Sequence, residues 1–242
     1  MKVCGMTDIG CHRKDNQDSY AIRQMEDGTA LLAVCDGMGG AQAGSVASSV
    51  AVEEFSAGME RAVEQGLPDG PERALEEACR AANEKVYRLS QERREYEGMG
   101  TTLVAALILR DGVWLVNVGD SRCYLLGAGG IRQATVDHSL VQLLVERGEI
   151  TPDEARVHPQ KNLITRALGV DGHVECDVTR LGPEPGSRLL LCSDGLSNVL
   201  EDRTMLELSS RETEVEGLCR ALIGLTLERG APDNVTAVLA QL

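Results

Sequence analysis

The chain has 242 residues, of which 43% are hydrophobic but only 2% aromatic, so its core must be built from Ala, Val, Leu and Ile. Lys and Arg number 24 against 38 Asp and Glu, a formal net charge of −14, which argues against a nucleic-acid partner or an anionic membrane surface. The eight cysteines include no CxxC pair, and the N-terminus MKVCGMTDIG has no apolar signal region, so neither zinc knuckles nor a secreted disulfide framework is expected.

In chain order, strands are predicted near 2–9, 19–25 and 29–36. Ala47, Ala51, Phe55 and Met59 then recur every four residues, which predicts a helix from about 42 to 63. After the loop GLPDGP a second helix follows. Pro71 suits its first turn, and Leu75, Ala78, Ala82, Val86 and Leu89 line one face. Beyond Gly98 the pattern returns to strands in TTLVAALIL, VWLVNV and CYLLG, the last two joined by a turn at GDSR (119–122).

Leu140, Leu143 and Leu144 predict a short amphipathic helix that stops at Gly148. TPDE (151–154) reads as a capping box, with Thr at the cap, Pro at the first position and Glu at the third. Residues 139–165 are therefore expected to be a small helical insertion between sheet strands. Strands resume near 173–180 and 187–193. Val215, Leu218, Leu222 and Leu225 mark a last long helix ended by Gly230 and Pro232, and VTAVLAQL closes the chain as a strand. Two batches of strands with helices segregated between them indicate an α+β fold. Runs such as LLAVC and LLLC are apolar at successive positions, so these strands must be covered on both faces, and Cys35, Cys123 and Cys192 read as small buried hydrophobes. No apolar run approaches the ~18 residues of a membrane span.

Two of these runs end in Asp-Gly, at Asp36-Gly37 and Asp194-Gly195. Asp-Gly alone is ordinary hairpin chemistry. Here, however, a glycine-rich helix entry follows the first and GLSNVL follows the second, neither of which is a partner strand. Asp18 opens a strand, Asp120 sits in a turn, and Asp233 directly precedes the last strand. Each is bland by itself. As a set of acids at strand edges, they suit an oxygen-ligand site for two Mg²⁺ or Mn²⁺ ions.

Eight segments carry a resemblance, in order: RKDNQD (13–18), CDGMGG (35–40), GTT (100–102), NVGDSR (117–122), DHS (137–139), ITRALG (164–169), CSDGL (192–196) and DNVT (233–236). Across essentially the whole chain it resembles the metal-dependent Ser/Thr protein phosphatases of type 2C in their bacterial form. The resemblance implies one catalytic domain over 1–242: a four-layer αββα sandwich of two antiparallel sheets flanked by helices, with 139–165 as the family's flap. It implies two or three Mn²⁺ or Mg²⁺ ions, with Asp36 bridging two of them and Gly37 supplying a carbonyl ligand. Asp194 and Asp233 complete the first metal's shell, and Asp120 ligates a third, weaker metal shared with Asp194. Asp18 becomes an outer-shell acid and Arg13 the phosphate clamp.

The implied reaction is hydrolysis of phosphoserine and phosphothreonine by a metal-activated water, opposing a Ser/Thr kinase. A cytoplasmic monomer without nucleic-acid or membrane partners is expected. A pseudophosphatase would have lost metal acids, and a specialised sporulation or stress phosphatase would carry sensory domains for which 242 residues leave no room. Two positions depart from many relatives. Gln17 stands where eukaryotic members have Glu, and Met38 stands where many have a His proposed as the proton donor. A thioether cannot donate a proton. His12, beside Arg13, is a candidate substitute, while His138 is expected to support a turn.

Overall fold

A computed structural model of the chain describes residues 1–40, 42–182 and 186–242. The chain runs β1 (Val3–Asp8), β2 (Asp18–Gln24), β3 (Ala30–Met38), α1 (Ala43–Glu64), α2 (Gly70–Glu92), β4 (Gly100–Thr101), β5 (Leu103–Leu109), β6 (Gly112–Val118), β7 (Arg122–Gly127) and β8 (Gly130–Gln133). It continues through α3 (Leu140–Glu146), α4 (Pro152–Val157), β9 (Asp177–Leu181), β10 (Arg188–Cys192), α5 (Asp194–Ser197), α6 (Asp202–Arg211), α7 (Val215–Glu228) and β11 (Val235–Gln241). One sheet has the order β1-β11-β10-β7-β8. The other has β2-β3-β5-β6-β9, with β4 paired to β3, and every pairing is antiparallel.

Alternation along each strand builds the layers. Leu31, Ala33 and Cys35 join the core beneath α1 and α2, whereas Ala30, Leu32 and Val34 join a second core between the sheets. On the facing sheet, Leu189 and Leu191 enter the same middle core, while Leu190 and Cys192 meet α7 through Leu218 and Leu222. This is the αββα sandwich that the family resemblance implies, and it covers the unbroken apolar runs on both faces. The three cores are almost wholly aliphatic, and Cys35, Cys123 and Cys192 are fully buried within them.

Thr151 and Glu154 form the predicted capping box on α4, and Pro71 sits in the first turn of α2. Four details differ from the sequence expectations. β3 does not stop at Asp36: it runs on to Met38, exchanging β5 for β4 as its partner at Gly37↔Thr101. GDSR is the expected turn between β6 and β7, but it carries the chain from one sheet to the other rather than between neighbours in one sheet. The strand expected from 173 begins only at Asp177. On α3 the buried side chain is Val141, and Leu143 is 40% exposed. The short β8 and the α6 helix were not anticipated. α6 buries only Met205, which leaves little periodicity to read.

Candidate metal centre

Strand pairing assembles the acids at one edge of the sandwich. Antiparallel register sets Asp18 on β2 directly opposite Asp36 on β3. In the other sheet β10 and β11 are neighbours, with Asp194 just after the first and Asp233 just before the second. The β6–β7 crossover adds Asp120. Asp36, Gly37, Asp120, Asp194 and Asp233 line one cleft of about 450 Å³, together with Arg13, Gln17 and Asn234. Asp18 lies behind the cleft wall, buried. His12 is exposed and does not line the cleft, so the fold does not bring it to the acids.

The glycine after Asp36 and the one after Asp194 are a matter of space. Neither Gly37 nor Gly195 has a positive φ. A Cβ on Gly37 would stand 2.0 Å from the Gly44 carbonyl oxygen, and one on Gly195 would stand 1.9 Å from that of Asn234. Any side chain would force apart the backbones that hold the two aspartates together.

Main-chain and hydroxyl groups hold the acids in place. The Asp36 N–H donates to Thr102 Oγ1 at 2.9 Å, and its carbonyl accepts from both the Thr102 N–H and Thr101 Oγ1 at 2.9 Å. Asp18 crosses the gap between the sheets. Its Oδ2 accepts from Ser193 Oγ at 2.7 Å and from Thr236 Oγ1 at 2.6 Å, while its buried Oδ1 has no partner. Asn198 Nδ2 donates to Asp194 Oδ2 at 2.9 Å. Asn234 Nδ2 donates to the carbonyls of Ile9 and Asp15, and its Oδ1 accepts from the Gln17 N–H, which fastens the Arg13 loop to β11. Gln17 Nε2 reaches the Gly40 carbonyl at 2.7 Å. Thr101, Thr102, Ser193, Asn198, Asn234 and Thr236 were not singled out from the sequence, although all but Asn198 lie inside the quoted motifs GTT, CSDGL and DNVT.

Arg13 forms an ion pair with Asp233, Nη2 to Oδ2 at 2.6 Å, and its side chain is 52% exposed. His138 is structural, as its turn position suggests. Its Nδ1 accepts from the Gly119 N–H at 3.1 Å, so the proton sits on Nε2, 3.2 Å from Asp177 Oδ2. The crossover turn that carries Asp120 is thereby pinned.

Electrostatically the cleft is over-supplied with acid. Burial, then repulsion from Asp18, Asp194, Asp120 and Asp233, lifts the Asp36 carboxyl well above the usual range. Burial followed by repulsion from Asp233 raises Asp194. Burial outweighs the Thr236 and Ser193 hydrogen bonds and lifts Asp18 to about 7. Burial, with Asp194 and Asp137 behind it, lifts Asp120 to about 8. Carboxylates crowded in this way need protons or cations to coexist. The donors are all oxygens, which selects hard divalent ions. Among the described residues no three His, Cys, Asp or Glu side chains enclose a point by themselves. The acids line an open cleft, so much of an ion's shell would fall to water and carbonyl oxygen, as Mg²⁺ and its kin accept. The unpartnered Asp18 Oδ1 suits the same arrangement, as an acceptor waiting behind the cleft wall.

An αββα sandwich carrying an all-oxygen acidic cleft at its sheet edge suits a hydrolase that works with hard divalent ions. The family description "Protein phosphatase 2C" matches residues 12–223, and the chain belongs to that family of serine/threonine protein phosphatases. It is 37% identical over 235 residues to the serine/threonine phosphatase stp of Listeria monocytogenes serotype 4b, covering 97% of this chain and 93% of that protein. It is 42% identical over 245 residues to the serine/threonine protein phosphatase PstP of Mycobacterium tuberculosis, covering 100% of this chain and 45% of that longer protein. The crystal structure of M. tuberculosis PstP/Ppp superposes with a TM-score of 0.87 at 40% identity, covering 100% of this chain and 98% of that one. The PstP catalytic domain in complex with two manganese ions gives 0.85 at 39% identity, covering 99% and 97%.

Proposed function

We propose that this cleft dephosphorylates phosphoserine and phosphothreonine in proteins with two divalent ions, both of which Asp36 would help to hold. The Gly37 carbonyl, Asp194 and Asp233 would be further ligands. Asp120, together with Asp194, would hold a third and weaker ion. The single observation that carries this reading is the convergence of four carboxylates from both sheets on one cleft, with burial and mutual repulsion raising three of them. Bound there, Mn²⁺ or Mg²⁺ would supply an activated water and offset the substrate's charge.

The chain's own residues do the positioning. Thr101 and Thr102 hold the Asp36 backbone, which fixes the strand end that presents its carboxyl to the cleft. Asp18, locked by Ser193 and Thr236, offers its free oxygen behind the wall to orient water. Arg13 engages Asp233 through Nη2, and its remaining donors are available to clamp phosphate oxygens. Residues 139–165 act as a flap on a single catalytic unit, 1–242. The partners are phosphorylated proteins, including a cognate Ser/Thr kinase, and the protein works as a cytoplasmic monomer. No described helix is long and apolar enough to cross a membrane.

Phosphate release from a phosphothreonine peptide, measured with Mn²⁺, without it and with excess chelator, tests the reading. Turnover is expected only with free metal, because an all-oxygen set binds labile hard cations. Full turnover in chelator after dialysis would refute it. Arg13→Ala is expected to lower kcat/KM for the peptide roughly 10–100-fold, mainly through KM, as for a lost charge-assisted contact. If KM stayed constant and only metal affinity fell, Arg13 would serve Asp233 rather than phosphate.

A further inference from the structure

Met38 poses a question that the metal centre does not answer: what a thioether does beside a phosphate site. Its side chain belongs to a wall. A Cβ on Gly100 would lie 2.8 Å from Val170 Cγ2 and 2.9 Å from Met38 Cε, so both side chains lie across the same bare glycine. They border a second pocket of about 390 Å³ that also includes Ile164, Leu163 and Val174. This pocket adjoins the catalytic cleft, with which it shares Met38, Asn162 and Ile164. Its floor is stitched down: Thr101 and Leu168 exchange both backbone hydrogen bonds, and the Gly169 N–H donates to Asn83 Oδ1 at 2.8 Å. Yet Leu163 and Val170 are 52% and 47% exposed at its mouth. Both belong to the seven exposed large hydrophobics among the described residues, beside a core that otherwise buries its apolar groups well. Leaving such groups in water on a firm backbone is costly unless something covers them.

We propose that Met38, Ile164 and Val170 form an apolar subsite that takes an aliphatic side chain of the substrate, one or two residues from the phosphorylated Ser or Thr. The inference rests on the catalytic reading of the neighbouring cleft. An extended peptide advances about 3.3 Å per residue, so a segment whose phosphate lies among the acids passes the shared Met38–Ile164 border within that span. The charges at the rim are mixed, with Arg166, Asp171, His173 and Glu175, and Arg166 is already tied to Asp177 at 2.8 Å. No single sign of charge is therefore offered to a charged occupant, and the apolar floor is what remains for recognition. Met38 then has a function that a histidine at its position would not serve: a flexible apolar surface that adapts to different aliphatic partners.

The test is a panel of phosphothreonine peptides carrying Leu, Ser, Glu or Lys at each of the two positions on either side, assayed with Mn²⁺. p-Nitrophenyl phosphate, which has no neighbouring residues, is measured in parallel. At one position Leu is expected to exceed Ser by about tenfold in kcat/KM, the scale of one filled apolar pocket. In Val170→Asp that ratio is expected to collapse, with Lys overtaking Glu at the same position while the aryl phosphate is still hydrolysed. If Val170→Asp is insoluble, Val170→Ala carries the same expectation of a reduced Leu-over-Ser ratio. Equal rates across the wild-type panel would overturn the subsite and leave the catalytic reading intact. A Leu preference that survives both Val170 variants would overturn it as well. Wild type that hydrolyses neither peptide nor aryl phosphate with Mn²⁺ would remove the catalytic reading, and this inference with it.

Discussion

Asp36→Asn is expected to cut phosphopeptide turnover by roughly a thousandfold or more, and to raise the melting temperature of the metal-free protein at pH 7.5. The first effect follows from the proposed bridging position, since metal activation supplies several kcal/mol and each 1.36 kcal/mol is worth about tenfold in rate. The second follows from the crowd around it. Asp36 feels Asp18, Asp194, Asp120 and Asp233, and without ions that repulsion is relieved by protons and, in part, by nearby cations such as Arg13, paired to Asp233. A neutral amide of the same shape removes one member of the crowd. The backbone grip of Thr101 and Thr102 does not involve the side chain, so the fold should survive the change. Phosphate release and a thermal melt after chelation check both halves. Turnover within tenfold of wild type would disprove the bridging role. An unchanged or lower melting temperature would show that the cleft carries no repulsive load.

Metal-free stability is expected to fall as pH rises from about 5 to about 8, and stabilisation by Mn²⁺ to grow over the same interval. In an unfolded chain Asp releases its proton near 3.9. Folded, Asp18 holds its proton to about 7 and Asp120 to about 8. Between those limits the native state binds more protons than the unfolded one, so each upward step in pH favours unfolding. The loss is complete once the folded values are passed. Carboxyls shifted the other way, at Asp27, Glu154, Asp177 and Glu214, contribute stability that is fully present above about 4.5 and is lost only as pH falls below it, so they stay silent in this window. Divalent ions can replace the missing protons, so their effect is largest where those protons have gone. Melting temperatures of the chelated protein at pH 5, 6.5 and 8, with and without Mn²⁺, make the comparison. A metal-free melting temperature that is flat or rising across the series would contradict it.

The comparison of Leu31–Cys35 with Asp36–Met38 shows where sequence and tertiary structure divide the work. Five consecutive apolar residues ending in Asp-Gly fit a short strand covered on both faces, which points to sheets with both inner and outer cores. The capping box at Thr151, the i+4 row of α1 and the acids at strand edges are equally local, so they are legible in the chain. So is the ordered series of motifs that carries the family resemblance. What local pattern does not contain is which strand pairs with which. The switch of β3 from β5 to β4, and the passage of GDSR from one sheet to the other, depend on partners far away in sequence. The same holds for the glycines of Asp-Gly. The sequence suggests a turn or a ligand carbonyl, and the tertiary packing adds a demand of its own, the bare space required by the Gly44 and Asn234 carbonyls. Asp18 is the clearest case. As a residue it is an acid at the start of a strand. Only the closure of the two sheets gives it Ser193 and Thr236 on one oxygen and nothing on the other. Periodicity and turn chemistry act over a few residues and can be read along the chain, whereas desolvation and register are set by elements more than a hundred residues apart that meet only when the core forms.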